Sequence, residues 1–132
     1  MPKRNKPKAR ETVDEILQRL SERMFPAQMG QEKVTIESRE ADGDGVLHNL
    51  LYGKERYPVL ALIEAGADVN AIGNLGYAPL HVSAFRDDAE MIQLLLDAGA
   101  DPRVRCEIGK TPLDAAVDLG CLDAAKVLKS AN

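Results

Sequence analysis

The apolar residues Val13, Ile16, Leu17, Leu20 and Met24 fall at i, i+3, i+4, i+7 and i+11, the spacing of one face of an amphipathic helix. Thr12-x-x-Glu15 supplies a capping-box start for that helix, and Phe25-Pro26 its stop, so a helix is predicted from Thr12 to Met24. Residues 27–32 read as loop. Val34 and Ile36 alternate with polar neighbours, which predicts an extended segment running toward Glu40. Farther along, Val59, Leu60, Leu62 and Ile63, then Ile92, Leu94, Leu95 and Leu96, form two short apolar helical stripes. Neither stripe can bury itself, whereas stacked side by side they make one continuous core.

The two stripes belong to a repeat of 33 residues. Leu47-His48 and the run from Glu64 to Asp68 recur as Leu80-His81 and the run from Asp97 to Asp101, each matched pair 33 positions apart. Pro79-Leu80 recurs as Pro112-Leu113. A strict period of this size marks stacked supersecondary units and shifts the functional expectation from catalysis toward binding. Each copy reads as a turn, a short helix, a second helix and a glycine stop. Pro79 and Pro112 suit a first helical turn, Thr111 can cap it through its hydroxyl, and Gly66 and Gly99 suit a left-handed helix exit.

Charge divides the chain. Its 132 residues, 45% hydrophobic, suffice for one modest domain. The first ten carry Lys3, Arg4, Lys6, Lys8 and Arg10 with no acid, leaving 12 basic and 21 acidic side chains, a formal −9, on the other 122. That tail predicts disorder, and the acidic body disfavours phosphate backbones and anionic membranes while suiting a basic partner surface. Cys106 and Cys121 read as reduced, partly buried thiols, since neither a C-x-x-C spacing nor a signal peptide suggests pairing. No apolar run approaches the ~18 residues needed to span a bilayer. A soluble, cytoplasmic protein is expected.

The glycine, then proline-leucine-histidine, then a leucine-rich helix ending in Gly-Ala-Asp resembles the ankyrin repeat. Gly76 to Ala84 and on to Gly99-Ala100-Asp101 meet the pattern, Gly109 to Ala116 meet it again, and Gly43 to Asn70 meet it more loosely. The resemblance implies an all-α ankyrin-repeat solenoid of helix-turn-helix units with short β-hairpin connections. It places a basic tail at 1–10, an N-terminal capping helix and extended segment at 11–39, and three repeats at 40–72, 73–105 and 106–132. Thr12, 33 residues before Gly45, is also compatible with a degenerate preceding repeat. The departures matter too. Gly45-Val46 replaces Thr-Pro in the first copy, which predicts that residues 43–58 are the least protected part of the array, and Asp114 replaces histidine in the third.

Little in the chain suggests chemistry. His48 and His81 hold the same place in successive copies, and the resemblance implies a structural role for both, hydrogen-bonded to turn backbone. A zinc site needs further ligands at compatible spacing, and none is legible. No metal or other cofactor is expected. The carboxylate pairs Asp87-Asp88 and Asp42/Asp44 suit helix starts and solvated turns better than acid–base catalysis. The glycines lack phosphate-loop order. The chain is read as non-enzymatic.

A partner protein is expected on the concave surface that the family presents through its hairpin tips and first helices. Counting from the registered glycines, the tips are Ala41, Asp42 and Asp44, then Asn74, Leu75 and Tyr77, then Glu107, Ile108 and Lys110. The helix positions are Tyr52 and Gly53, then Phe85 and Arg86, then Asp118 and Leu119. Three of the five aromatic residues fall on this short list, and aromatics with arginine dominate binding hot spots. Packing of those rings against neighbouring repeats is the competing explanation. A monomeric scaffold or inhibitor is the resulting expectation. Within that class the chain resembles the immunity proteins that neutralise bacterial toxins, some of them basic nucleases. The alternative from another class is a regulatory subunit whose basic tail contacts nucleic acid.

Overall fold

A computed structural model describes residues 11–25 and 33–131. The expectations for the basic tail at 1–10 and for the loop at 27–32 lie outside the described residues. Among the described residues there are seven α-helices: α1 Val13–Met24, α2 Val46–Tyr52, α3 Arg56–Glu64, α4 Pro79–Phe85, α5 Ala89–Asp97, α6 Pro112–Leu119 and α7 Leu122–Ala131. A 3₁₀ turn at Asn74–Gly76 interrupts the loop between α3 and α4.

Helices α2 and α3, α4 and α5, and α6 and α7 form three pairs in sequence order, with α2, α4 and α6 packed in succession and α5 against α7. Leu50, Leu62, Leu80, Ile92, Leu95 and Leu128 are fully buried between the pairs. Burying one such side chain stabilises by about 1.5–3 kcal/mol, which is why the stripe makes sense only in a stack. The 33-residue period also governs the connections. The N–H groups of Glu40, Gly73 and Cys106 donate to the carbonyls of Asp44, Tyr77 and Lys110 at 2.8, 2.9 and 2.9 Å, closing three equivalent hairpin-shaped loops. Extended pairing goes no further than an isolated bridge between Arg39 and Gly45 among the described residues.

Local sequence explains the helix ends. Thr12 Oγ1 accepts from the Glu15 N–H at 3.2 Å, and Thr111 Oγ1 from the Asp114 N–H at 3.2 Å, as their hydroxyls suggest. Gly66 and Gly99 follow α3 and α5 at φ +106° and +100°, a conformation that a side chain would strain. Gly73 is required for a different reason: a Cβ there would lie 2.4 Å from Asp44 Oδ1, so two hairpins could not approach as they do.

Two details differ from expectation. Residues 34–36 form no strand, and Ile36 and Glu37 lie in a turn. The Ser38 N–H donates to the Thr35 carbonyl at 3.1 Å and the Thr35 N–H to Ser38 Oγ at 2.8 Å, a hydroxyl-stabilised turn that competes with strand geometry. Helix α1 packs against α3 rather than beginning a preceding repeat in the position of a first helix. The Tyr57 hydroxyl donates to the Glu11 carbonyl at 3.0 Å, and Arg19 bridges Glu11 and Glu55 at 2.9 and 2.6 Å, so α1 is fastened to the second-helix side of the first repeat.

Candidate functional site

The histidines set the register of the concave face. His48 Nδ1 accepts from the Gly45 N–H at 3.2 Å while its Nε2 donates to the Tyr77 carbonyl at 2.7 Å. His81 does the same with the Ala78 N–H at 3.1 Å and the Lys110 carbonyl at 2.8 Å. Each neutral imidazole therefore joins its own helix start to the next hairpin. Burial holds both below the ordinary imidazole range, against the raising effect of the carbonyl each faces. In the third repeat Asp114 Oδ2 accepts from the Thr111 N–H at 3.0 Å, reproducing the inner half of the link with a shorter side chain. That bond to the Thr111 backbone, with the Thr111 hydroxyl, holds the Asp114 carboxyl below its usual range. Among the described residues no group of three His, Cys, Asp or Glu could hold a metal ion.

Equivalent hairpin and first-helix positions are 44 and 52, 77 and 85, and 110 and 118. Tyr52 is 41% exposed, and its hydroxyl is raised above the usual phenol range by burial and then by the Asp44 charge. Tyr77 and Phe85, both half-buried, meet edge to face with centroids 4.7 Å apart. Lys110 Nζ and Asp118 Oδ2 form an ion pair at 3.2 Å. Equivalent backbone positions thus carry an acid and a phenol, then an aromatic pair, then an ion pair.

The smaller third step leaves space beside the second. Tyr77, Phe85, Ile108, Lys110, Asp118 and Leu119, six of the expected contact residues, surround a depression of about 240 Å³. Ile108 and Leu119 on its walls are 75% and 61% exposed, far beyond what packing alone explains. Cys106 and Ala115 complete the lining, and sequence reasoning misses both, because the registered count marks loop tips and one helix side but not the buried residues beneath them. Cys106 and Cys121 are both free and buried.

The other expected residues are placed differently. Asp42 is exposed, and its Oδ1 accepts from the Asp44 N–H at 2.9 Å. Asp44 is a correction: it is only 8% exposed, and its Oδ1 accepts from the Asn74 N–H at 2.8 Å, so it ties the first hairpin to the second instead of presenting a carboxylate. Leu75, 53% exposed, holds a left-handed backbone at φ +58° and its carbonyl accepts from the Glu107 N–H at 3.0 Å. Ala41, Gly53, Arg86 and Glu107 are exposed but outside the depression. Tyr77 and Phe85 pack on one another within the second repeat and at the same time form one wall of the depression.

A stack of helix pairs joined by hairpin loops, with an apolar depression on the loop side, defines a helical-repeat solenoid. A family model described as ankyrin repeats in three copies matches residues 47–132, and the chain belongs to the ankyrin-repeat family. It is 34% identical over 91 residues to NF-kappa-B inhibitor alpha of Sus scrofa, covering 66% of this chain and 29% of that protein. It is 34% identical over 110 residues to Regulatory protein NPR5 of Arabidopsis thaliana, covering 80% and 22%. It is 47% identical over 70 residues to BTB/POZ domain and ankyrin repeat-containing protein NPR5 of Oryza sativa subsp. japonica, covering 52% and 14%. The chain spans less than a third of the length of each of these relatives. Protein interaction is typical of the family, and among the described residues no helix is long and apolar enough to cross a membrane.

Proposed function

We propose that this chain is a non-catalytic module that binds a partner protein on its concave face, as a scaffold or as an inhibitor that occludes the partner's own site. The observation that carries this reading is the depression between the second and third repeats, where Ile108 and Leu119 expose large apolar side chains beside an aromatic pair. Exposed apolar residues grouped around a concavity, with charged residues at the rim, are the usual anatomy of a binding patch. Two relatives bear the words inhibitor and regulatory protein in their names, which agrees with a binding role rather than a catalytic one. The formal −9 of residues 11–132 suits a basic partner.

The test is capture from native cell extract with the intact chain and with an Ile108→Asp/Leu119→Asp double variant. Both side chains are exposed, so the variant should keep its helical circular dichroism. A stoichiometric protein recovered by the intact chain and lost with the variant is the expected result. Equal recovery by both forms would exclude the groove as the working surface.

A further inference from the structure

We infer that the depression between the second and third repeats is an anchor pocket for one large apolar side chain, of tryptophan or phenylalanine size, carried on a basic segment of the partner protein. This rests on the protein-binding reading above and names the chemistry of what that surface takes.

The pocket has a specific origin in the repeat. In the second copy the hairpin residue Tyr77 meets the helix residue Phe85 at 4.7 Å, and the rings fill their own step of the concave face. In the third copy the same two positions hold Lys110 and Asp118, which pair at 3.2 Å through their charged ends and leave the space between hairpin and helix unfilled. The walls are apolar: the exposed faces of Ile108 and Leu119 and the half-buried Tyr77 and Phe85. Its volume of about 240 Å³ falls below the ~300–1,000 Å³ of typical small-molecule sites, so it fits one side chain better than a free ligand.

Charge selects the context of that side chain. Lys110 and Asp118 neutralise one another at the rim, and in the same hairpin exposed Arg105, bonded to the Gly109 carbonyl, offsets exposed Glu107, so the rim adds no charge of its own and the field of the whole body decides. Exposed Asp42 and the formal −9 of the body make that field negative. An apolar anchor flanked by lysine or arginine is therefore complementary to the long-range field of the body, and one flanked by acids is repelled by it.

The probe is an acetylated, amidated pentapeptide, lysine-lysine-tryptophan-lysine-lysine, titrated into isotope-labelled protein and followed by NMR. Saturable shifts at the Ile108 and Leu119 methyls and the Phe85 ring are expected, with affinity about tenfold weaker when alanine replaces tryptophan. Leu119→Asp should abolish saturation. Asp118→Phe should do so as well, by refilling the space as Phe85 does one repeat earlier, and without loss of thermal stability. Equal binding of the alanine peptide, shifts centred elsewhere, or undiminished binding to Asp118→Phe would overturn the anchor pocket. Equal binding of a glutamate-flanked tryptophan peptide would overturn the basic context. Should the peptide fail while the Ile108→Asp/Leu119→Asp variant still loses its captured partner, the anchor is wrong and the binding surface stands.

Discussion

Asp87 Oδ1 accepts from the Ala124 N–H at 2.9 Å, so a carboxylate at the end of α4 satisfies an otherwise unpaired donor in the first turn of α7, one repeat away. Asp87 does this from a left-handed backbone, φ +49°, at the position where the third repeat has Gly120 at φ +70°. A strained residue and a link between repeats are therefore the same residue.

Substitutions at 87 should separate the two effects. Asp87→Asn keeps an acceptor and tolerates the left-handed backbone, so it should stay within about 0.5 kcal/mol of the parent. Asp87→Ala loses the acceptor and retains the strain, and should destabilise by about 1–2 kcal/mol. Asp87→Gly relieves the strain and should fall between them. Urea denaturation of the three variants checks the order, and an alanine variant as stable as the asparagine one would show that the link contributes nothing.

The first repeat begins without a hydroxyl cap, and the cap can be supplied. Gly45 precedes α2 with an extended backbone, φ −95° and ψ −171°, and a Cβ there would make only ordinary contacts, 3.7 Å from His48 Nδ1 and 3.8 Å from the Ser38 carbonyl oxygen. Gly45→Thr copies Thr111, whose hydroxyl accepts from the third N–H of α6. A gain of about 0.5–1 kcal/mol is expected, from the new bond and from a less flexible unfolded chain. Hydrogen exchange in residues 46–52 should slow in the variant; unchanged exchange there would mean that the missing cap does not limit the first repeat.

Much of this architecture is legible because a period of 33 constrains every copy at once. The glycine exits and the Thr111 cap follow from registered residues, the limits of α1 from its own apolar spacing and end signals, and the two histidine links are what the ankyrin resemblance implies. The misses share a cause. Asp44 reads as a loop-tip carboxylate because nothing near it in sequence reveals the Asn74 N–H that it meets 30 residues later. The turn at Thr35–Ser38 wins over alternation because two hydroxyls lie three residues apart. The pocket itself is invisible in any single repeat, since it arises from what Lys110 and Asp118 leave unfilled beside the preceding copy.

Ser83 is 1% exposed, and its Oγ has no hydrogen-bond partner among the described residues, an unmet requirement inside α4. The third repeat has Ala116, fully buried, at the equivalent position. Removing an orphaned hydroxyl relieves a desolvation penalty of about 1–3 kcal/mol, offset by a small void. Ser83→Ala should therefore leave the protein unchanged or more stable by up to about 1 kcal/mol, read as a higher urea midpoint. A loss beyond about 1 kcal/mol would indicate that the hydroxyl is paired in solution.

The two histidine links predict an acid sensitivity with a definite sign. An unfolded imidazole titrates near pH 6.5, whereas burial holds His48 and His81 lower in the folded chain. Between those values the unfolded chain binds more protons, so stability falls as pH drops below about 6.5 and the loss levels off once the folded imidazoles titrate. Glu40, raised by burial, titrates with the opposite sign, but it is common to the parent and to any histidine variant. His81→Asn can still accept from the Ala78 N–H, as Asp114 does from Thr111, and cannot reach the Lys110 carbonyl. It should lose about 1–3 kcal/mol at about pH 7.5 and show roughly half the parent's loss of urea midpoint between about pH 7.5 and 5.5. A variant whose slope equals the parent's would place the titrating groups elsewhere.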